Sequence, residues 1–166
     1  MVSGVRRTVL VDTNVWLDNY LPGRPHGEES RRFLDTAVRL GVELTYPASI
    51  AKDVFYVVGN EYKRLVRGDE GRVAEADAVA IRRIAWGVVD NMSELATPIG
   101  MDASDLWLAS KWRGVDDDLE DNLVRAAAKR AKVDLVVTWD KGMLAKALVP
   151  TVTPPVAIAQ LEGEGY

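Results

Sequence analysis

Short, uninterrupted apolar runs separated by long helix-type segments constrain the fold of this chain more than any other feature. The two clearest runs are 8–11, TVLV, and 134–138, DLVVT. Runs of this length without polar alternation are typical of strands that are buried on both faces of a sheet. Because strands and helices alternate along the sequence, we predict one α/β domain with a mainly parallel sheet covered by helices on both faces.

The other predicted elements follow from helical spacing and from residues that end helices and strands. Gly41 ends the first predicted helix as a C-cap glycine would, Pro47 closes the second strand, and Asp102 is a predicted N-cap. The predicted strands are 8–11, 42–46, 93–98, 134–138 and 149–152. The predicted helices are 28–40, 49–67, 70–86, 102–112, 118–132 and 141–147, with a break at Gly68 and Asp69. The segment 154–166 is a weakly patterned tail.

Composition favours a soluble globular protein and excludes several kinds of site. The 166 residues suit one domain spanning 1–166, with 48% hydrophobic and 28% charged residues. No apolar run approaches the ~20 residues of a membrane-spanning helix, and the N-terminal segment lacks a signal-peptide layout, so we expect a cytoplasmic protein without membrane association. The lack of cysteine excludes disulfides and thiolate metal sites. A net charge of −4 argues against passive coating of nucleic acid.

Carboxylates fall where the predicted fold would bring them together. Asp12 and Asp140 follow two strands, Asp53 lies near the start of the helix after the second strand, and five acids crowd the segment DDDLEDN, 116–122. Strand ends and the starts of helices share one edge of such a sheet. Converging carboxylates repel unless a cation separates them, and oxygen ligands without His or Cys favour Mg²⁺ or Mn²⁺. Spacing thus suggests a metal-dependent phosphodiesterase or nuclease. The alternative is that each acid caps a helix or lies in an exposed turn.

The segments VLVDTNVWLD and DLEDNLVRAAAKRAKVDLVVTWD resemble the PIN-domain family. Its members are metal-dependent ribonucleases, and many are the toxins (VapC-type) of bacterial and archaeal toxin–antitoxin pairs. The resemblance implies a three-layer α/β/α sandwich with a central, mainly parallel sheet. It covers nearly the whole chain, although the middle, from about Arg67 to Thr97, matches only in length and helical character.

The resemblance also implies a set of site residues. The implied catalytic residues are Asp12, Asp53, Asp121 and Asp140. Thr13 or Asn14 would orient the Asp12 carboxylate or a water molecule at the metal, and Thr138 would hydrogen-bond a carboxylate or a phosphate. Asp53 falls near the second acid of the family, which is usually a glutamate and therefore one methylene longer.

A helical wheel divides the acidic segment. At 100° per residue the predicted buried face holds Leu119, Leu123, Val124, Ala127 and Ala131, and the predicted solvated face holds Arg125, Lys129 and Lys132. Asp118 is the predicted N-cap, accepting from the backbone N–H of Asp121. Asp116 and Asp117 are predicted to lie in solvent, where they would favour the positive end of the helix dipole.

The wheel and the resemblance disagree about the metal ligand on this helix. Glu120 falls well inside the predicted buried arc, where a carboxylate needs compensation, and Asp121 falls at its border. The wheel therefore favours Glu120, whereas the resemblance favours Asp121. We take Asp121 as the primary ligand and Glu120 as a second ligand or water-holder. The predicted metal ligands are Asp12, Asp121, Asp140 and Glu120.

The leading interpretation is an endoribonuclease that hydrolyses RNA phosphodiesters with Mg²⁺ or Mn²⁺. The resemblance implies a toxin role, with RNA as substrate and with an antitoxin protein and a second copy of the chain, in a homodimer, as partners. One alternative is a non-catalytic nucleic-acid or protein binding module on the same fold with a degraded acidic site, which the short side chain of Asp53 supports. Another is a nuclease acting on DNA or on flap structures.

Several other residues receive structural interpretations. His26, the only histidine, lies in a Gly/Pro-rich loop and is interpreted as a loop residue rather than a catalytic one. Solvated helix faces are the simpler explanation for five arginines that could also line a path for RNA phosphates, namely Arg31, Arg32, Arg39, Arg64 and Arg67. Trp16, Phe55 and Tyr56 are candidates for an apolar surface that meets an antitoxin or a second protomer, with core packing as the alternative.

Overall fold

A computed structural model describes residues 7–67, 71–146 and 148–163. In these ranges five strands form one parallel sheet in the order β3-β2-β1-β4-β5. The strands are β1 Thr8–Val11, β2 Glu43–Pro47, β3 Thr97–Ile99, β4 Leu135–Val137 and β5 Thr151–Val152. The helices are α1 Thr13–Tyr20, α2 Gly27–Arg39, α3 Ala48–Val66, α4 Glu75–Leu95, α5 Ala103–Trp112, α6 Leu119–Arg130, α7 Lys141–Ala145 and α8 Pro154–Gly163.

The central strand β1 is the point at which the order of the strands reverses. The chain adds β2 and β3 on one side of β1, and then returns to add β4 and β5 on the other side. Leu10 is paired with Thr45 of β2 and with Val136 of β4. In open α/β sheets such a reversal leaves a crevice at the carboxyl ends of the strands. That crevice lies between the ends of β1 and β4.

Side chains alternate across the sheet and bury two separate apolar layers. Val9 and Val11 face one layer, which contains Trp16 of α1 and Phe33 of α2. Leu10 faces the other layer, whose further members are Val124, Ala128, Val136 and Met143. Period-two alternation with both faces apolar is what a fully buried strand requires. The predicted three-layer α/β/α sandwich is therefore confirmed.

The predicted elements are present with shifted ends, and two helices were not predicted. Helix α1 begins directly after Asp12, whose side chain caps it by accepting from the backbone N–H of Thr13. Helix α8 occupies most of the segment that was predicted to be a weakly patterned tail. Residues 93–95 end α4 instead of beginning a strand. Gly68, Asp69 and Ala147 lie outside the described residues, and the prediction of one domain stays a prediction.

Burial on α6 contradicts the predicted wheel. Arg125, predicted to face solvent, is 0% exposed, whereas Leu119, predicted to be buried, is 54% exposed. The predictions for Asp116 and Glu120 were also wrong, because Asp116 is buried and Glu120 is exposed. The reason is that α6 packs against α5 as well as against the sheet, so a wide arc that includes Asn122 and Arg125 is enclosed. A wheel that assumes one apolar face cannot show this second contact.

None of the helices in the described ranges has the combination of length and apolar composition that a bilayer span requires.

Candidate active site

The Asp12 carboxylate lies in the crevice at the end of β1 and is held by three donors. Its Oδ1 accepts from the backbone N–H of Thr13 at 2.8 Å. Its Oδ2 accepts from the Asn14 side-chain amide at 2.9 Å and from the Thr138 hydroxyl at 2.7 Å. Thr138 is 126 residues away along the chain and fully buried. Three donors on one carboxylate fix its orientation and favour its charged form.

Asn14 and Thr138 extend this network to the end of β4. The Asn14 amide also donates to the Thr138 hydroxyl oxygen at 3.0 Å, and Asn14 Oδ1 accepts from the backbone N–H of Trp139 at 3.0 Å. The Thr138 hydroxyl oxygen accepts from the backbone N–H of Asp140 at 2.9 Å. Two side chains therefore connect the residue that follows β1 to the residues that follow β4.

Asp140 is the N-cap of α7, and its carboxylate lies over the first turn of that helix. Its Oδ1 accepts from the backbone N–H of Met143 at 2.8 Å. A Cβ atom added at Gly142 would lie 3.0 Å from the same oxygen. Gly142 therefore leaves the space in which the Asp140 carboxylate lies. Sequence reasoning missed this residue, although a glycine two positions after a predicted site acid was the available signal.

Asp121 lies close enough to the first two acids to be affected by their charges. Burial raises the pKa of its carboxyl to about 7, and the charges of Asp140, Asp118 and Asp12 act in the same direction. Burial also raises the pKa of Asp12, to which the charge of Asp140 adds. Hydrogen bonds from Thr138, Thr13 and Asn14 lower it and only partly offset that rise. The structure thus gathers three of the predicted catalytic acids around one crevice.

Glu120 and Asp53 lie next to this group on a second side. Burial raises the pKa of Glu120, and the charges of Asp53, Asp12 and Asp118 raise it further. Asp53, in the second turn of α3, is partly exposed, and one of its oxygens lies 3.5 Å from Lys52 Nζ. Glu120 is therefore within electrostatic reach of both Asp12 and Asp53. Glu120 points into solvent more than Asp121 does, and Asp53 already has a cationic neighbour.

The donor types fit a hard divalent cation, but the carboxylates do not converge on a single point. Within the described ranges no three His, Cys, Asp or Glu side chains are close enough to hold one ion. Asp12 and Asp140 both accept hydrogen bonds from the chain itself. The Thr13 hydroxyl at the same place is buried and has no hydrogen-bond partner among the described residues. A buried hydroxyl without a partner indicates a place for a water molecule or an ion.

A buried ion pair fixes the loop and first turn that carry Glu120 and Asp121. Asp116 Oδ2 accepts from Arg125 Nη1 at 2.8 Å, and Lys146 Nζ lies 2.7 Å from Asp116 Oδ1. The Asn122 amide donates to the Asp116 carbonyl oxygen at 2.7 Å. Asp118 caps α6 through the backbone N–H of Asp121, at 3.1 Å, as predicted. The predicted dipole role of Asp116 in solvent was wrong, because the pair with Arg125 buries it.

An aromatic pair borders the site and was not predicted. The His26 imidazole is stacked on the Trp139 indole, with 4.0 Å between the ring centroids and 15° between the ring planes. Trp139 Nε1 donates to the Ser30 hydroxyl at 2.8 Å. Trp139 lies between Thr138 and Asp140 in sequence, and its backbone N–H donates to Asn14 Oδ1 at 3.0 Å, so the backbone that carries the indole is part of the site. A tryptophan between two predicted site residues was the signal for it.

The predicted arginine path receives little support. Arg64 and Arg67 lie 11 and 14 residues after Asp53 along α3, which places them roughly 16–21 Å from it along the helix axis. Arg39 is paired with Glu162, and Arg64 with Glu61. Arg31 and Arg32 are exposed on α2. Solvated helix faces account for these side chains.

The three predicted interface aromatics have different surroundings. Trp16 is fully buried in the core, which agrees with the core-packing alternative. Tyr56 is exposed and Phe55 is partly buried. With Trp86 they line a groove of about 300 Å³ between α3 and α4.

Comparison with known proteins identifies the family to which this chain belongs. The family model of the PIN domain matches residues 8–142, which include Asp12, Asp53, Asp121 and Asp140. Among solved structures, the chain resembles the VapC20 toxin of Mycobacterium tuberculosis, described as cleaving the sarcin-ricin loop. Identity is 15%, the TM-score is 0.58, and the match covers 85% of this chain and 96% of VapC20. No curated protein matches the chain. Since the match to the PIN domain model covers more than half of the chain, with four of the five strands and the acidic crevice, the chain belongs to the PIN domain family.

Proposed function

We propose that the protein is a nuclease that hydrolyses RNA phosphodiesters with a divalent cation, Mg²⁺ or Mn²⁺. The observation that carries the proposal is the crevice between β1 and β4. Carboxylates from three parts of the chain, Asp12, Asp121 and Asp140, lie there: burial raises the pKa of Asp12 and of Asp121, and the charge of Asp140 raises both further. Repulsion between these carboxylates destabilises the fold, and a bound cation would remove that repulsion.

Asp12, Asp121 and Asp140 would hold the cation, with Glu120 and Asp53 at its margin. When bound there, Mg²⁺ or Mn²⁺ supplies positive charge for the phosphate and activates water. Thr138 and Asn14 keep the Asp12 carboxylate in one orientation, and Gly142 leaves room for the Asp140 carboxylate. Asp118 holds the first turn of α6 by capping it. Each of these residues acts on a carboxylate, so each affects metal affinity.

RNA is the preferred substrate in this proposal, and a toxin role follows from it. VapC20 shares this fold and is described as cleaving the sarcin-ricin loop, an RNA. We therefore propose that the protein acts on RNA as a toxin, in the cytoplasm, with an antitoxin protein and with a second copy in a homodimer. Growth after expression of the chain alone tests the toxin role separately from the nuclease activity.

Cleavage assays on matched RNA and DNA strands test the proposed reaction. We expect cleavage of RNA in Mn²⁺ or Mg²⁺ that stops in excess EDTA. Asp12→Asn and Asp140→Asn should each lower the rate by at least ~100-fold with an unchanged circular dichroism spectrum. Asp35→Asn, at an exposed acid on α2, is the matched control and should cleave normally. Activity that persists in EDTA or in either site variant would overturn the mechanism, and preference for the DNA strand would overturn the substrate.

A non-catalytic binding module is the second candidate, and two observations favour it. No three carboxylates in the described ranges are close enough for one ion, and Asp53 has Lys52 as a neighbour. Calorimetric titration with Mn²⁺ separates the two candidates. A degraded site should bind Mn²⁺ no better than Asp12→Asn does, whereas a nuclease site should bind it at least ~10-fold more tightly.

A further inference from the structure

Among the described residues, the stacked rings of His26 and Trp139 make no hydrogen bond to a site carboxylate, although the backbone N–H of Trp139 donates to Asn14. The ring centroids are 4.0 Å apart and the ring planes are 15° from parallel. Both side chains are partly exposed. Unstacked bases of single-stranded RNA stack on aromatic side chains of this kind. The pair is therefore suited to contact a base beside the phosphate that the carboxylates would address.

Trp139 is fixed at two points, which makes it a rigid support. Its indole N–H donates to the buried Ser30 hydroxyl at 2.8 Å, and its backbone N–H donates to Asn14 Oδ1 at 3.0 Å. Asn14 in turn donates to Asp12. The position of the indole is therefore coupled to the position of the first site acid. A ring held in this way has little freedom left to lose when a base stacks on it.

The loop that carries His26 is anchored on both sides of that residue. Arg24 Nε lies 2.6 Å from an oxygen of the buried Asp18 side chain. On the other side, a Cβ atom at Gly27 would lie 3.0 Å from the Asp18 carbonyl oxygen, so the backbone passes closely there. The His26 side chain makes no capping hydrogen bond to α2. Its imidazole is thus oriented by the stack on Trp139, and no hydrogen bond to a described residue uses its nitrogen atoms.

We infer that His26, stacked on Trp139, is a positioning residue on which one base of the RNA stacks beside the scissile phosphate. The inference rests on the proposed function, which supplies RNA as the substrate, and it adds His26 and an unpaired nucleotide to that function. The nucleotide involved must be unpaired, because a base within a duplex has no free face. The His26 nitrogen atoms would be available to the edge of a neighbouring base. A role limited to holding the loop is the competing explanation.

A double-mutant cycle between protein and RNA distinguishes the two explanations. Binding of a short labelled single-stranded RNA is measured by fluorescence anisotropy in Ca²⁺, with gels to show that the strand stays intact. An abasic nucleotide is placed at each position in turn. For the wild-type protein we expect one position at which the loss of the base weakens binding by about 5- to 50-fold. For His26→Ala the same abasic strand should bind within about twofold of the intact strand.

Two further variants make the cycle specific. His26→Phe keeps a flat ring and should retain most of the abasic penalty. Trp107→Ala removes an exposed tryptophan on α5 and should leave the penalty unchanged. A loop-holding role would change thermal stability in His26→Ala but not the coupling between His26 and a single base. If the abasic penalty in His26→Ala equals that of the wild type, the inference is overturned.

The outcome is separable from that of the proposed function. Coupling between His26 and one base without RNA cleavage in Mn²⁺ would support the stacking role and overturn the nuclease proposal. Cleavage that depends on Asp12, without coupling between His26 and a base, would support the nuclease proposal and overturn the stacking role. If cleavage occurs, the abasic position should lie next to the mapped cleavage site, and a distant position would contradict the inference.

Discussion

Replacement of Asp116 by asparagine removes one charge from a buried pair and changes the shape of the side chain very little. Arg125 is 0% exposed and Asp116 3% exposed, so neither group can be solvated by water. The hydrogen bond from Lys146 is the main cause that lowers the pKa of Asp116 to about 2, from an ordinary value of 3.8. At about 1.4 kcal/mol per unit of pKa, the charge of Asp116, with its bonds to Lys146 and Arg125, stabilises the fold by about 2.5 kcal/mol at neutral pH.

The variant should lose at least this amount, because it also leaves Arg125 without its carboxylate. Arg125 Nη1 keeps the Asn122 side-chain oxygen at 2.9 Å, but its Nε and Nη2 have no hydrogen-bond partner among the described residues. Removal of one member of a buried pair costs about 3–5 kcal/mol. We therefore expect Asp116→Asn to lower the free energy of unfolding by about 3 kcal/mol at pH 7, measured by urea denaturation in EDTA.

The pH dependence has a definite sign. A carboxyl whose pKa is lowered by folding stabilises the folded state above its unfolded pKa, and loses that contribution as the pH falls through its folded pKa. The difference between wild type and variant that comes from the Asp116 charge should be constant from pH 8 to pH 5. With pKa values of 3.8 and about 2, about half of that contribution should remain at pH 3.

Asp117→Asn provides the matched control, because Asp117 is the adjacent acid and is exposed. It should change the free energy of unfolding by no more than about 0.5 kcal/mol. Equal effects of the two substitutions, or a difference for Asp116→Asn that is the same at pH 7 and pH 3, would refute the assignment of a buried charge pair.

Three further substitutions test the site itself. Thr138→Val removes the hydroxyl that donates to Asp12 at 2.7 Å and should lower RNA cleavage by about 10- to 100-fold, whereas Thr138→Ser should restore it; equal activity of both variants would exclude a role for the hydroxyl. Gly142→Ala places a Cβ atom 3.0 Å from an Asp140 oxygen and should weaken Mn²⁺ binding in calorimetry without lowering the melting temperature; normal Mn²⁺ affinity would contradict the close approach. Asp121→Asn removes a carboxylate whose pKa is raised to about 7. In urea denaturation at pH 8 it should stabilise the metal-free protein by about 1–2 kcal/mol, and Mn²⁺ should no longer stabilise the variant. A variant less stable than wild type in EDTA would show that the carboxylate is not repelled.

The parallel sheet was predictable because β4 is apolar at every position and β1 at every position after Thr8. A strand buried on both faces has a sequence signature that does not depend on its neighbours. The capping role of Asp118 was predictable for a similar reason, because an N-cap acts within one turn of its own helix. The strand ends then located Asp12 and Asp140 at one edge of the sheet.

The surroundings of α6 could not be predicted in the same way. Arg125 looks like a solvated residue in the sequence, and its burial depends on Asp116, nine positions earlier, and on the contact between α5 and α6. The stack of His26 on Trp139 likewise joins residues 113 positions apart. Such pairs leave no local periodicity, because each partner is defined only by the folded chain.

The hydrogen bond between Asp12 and Thr138 has a consequence for the order in which the protein is made. A ribosome produces β1 early, yet the partner that holds the Asp12 carboxylate is 126 residues later. Domains form as the chain emerges, at about 5–20 residues per second, so the acidic crevice stays incomplete for most of the time of synthesis. Every nascent chain that stops before Asp140 lacks one of the proposed ligands. A nuclease assembled in this sequence would remain inactive next to the RNA of the ribosome that produces it until Asp140 has been added.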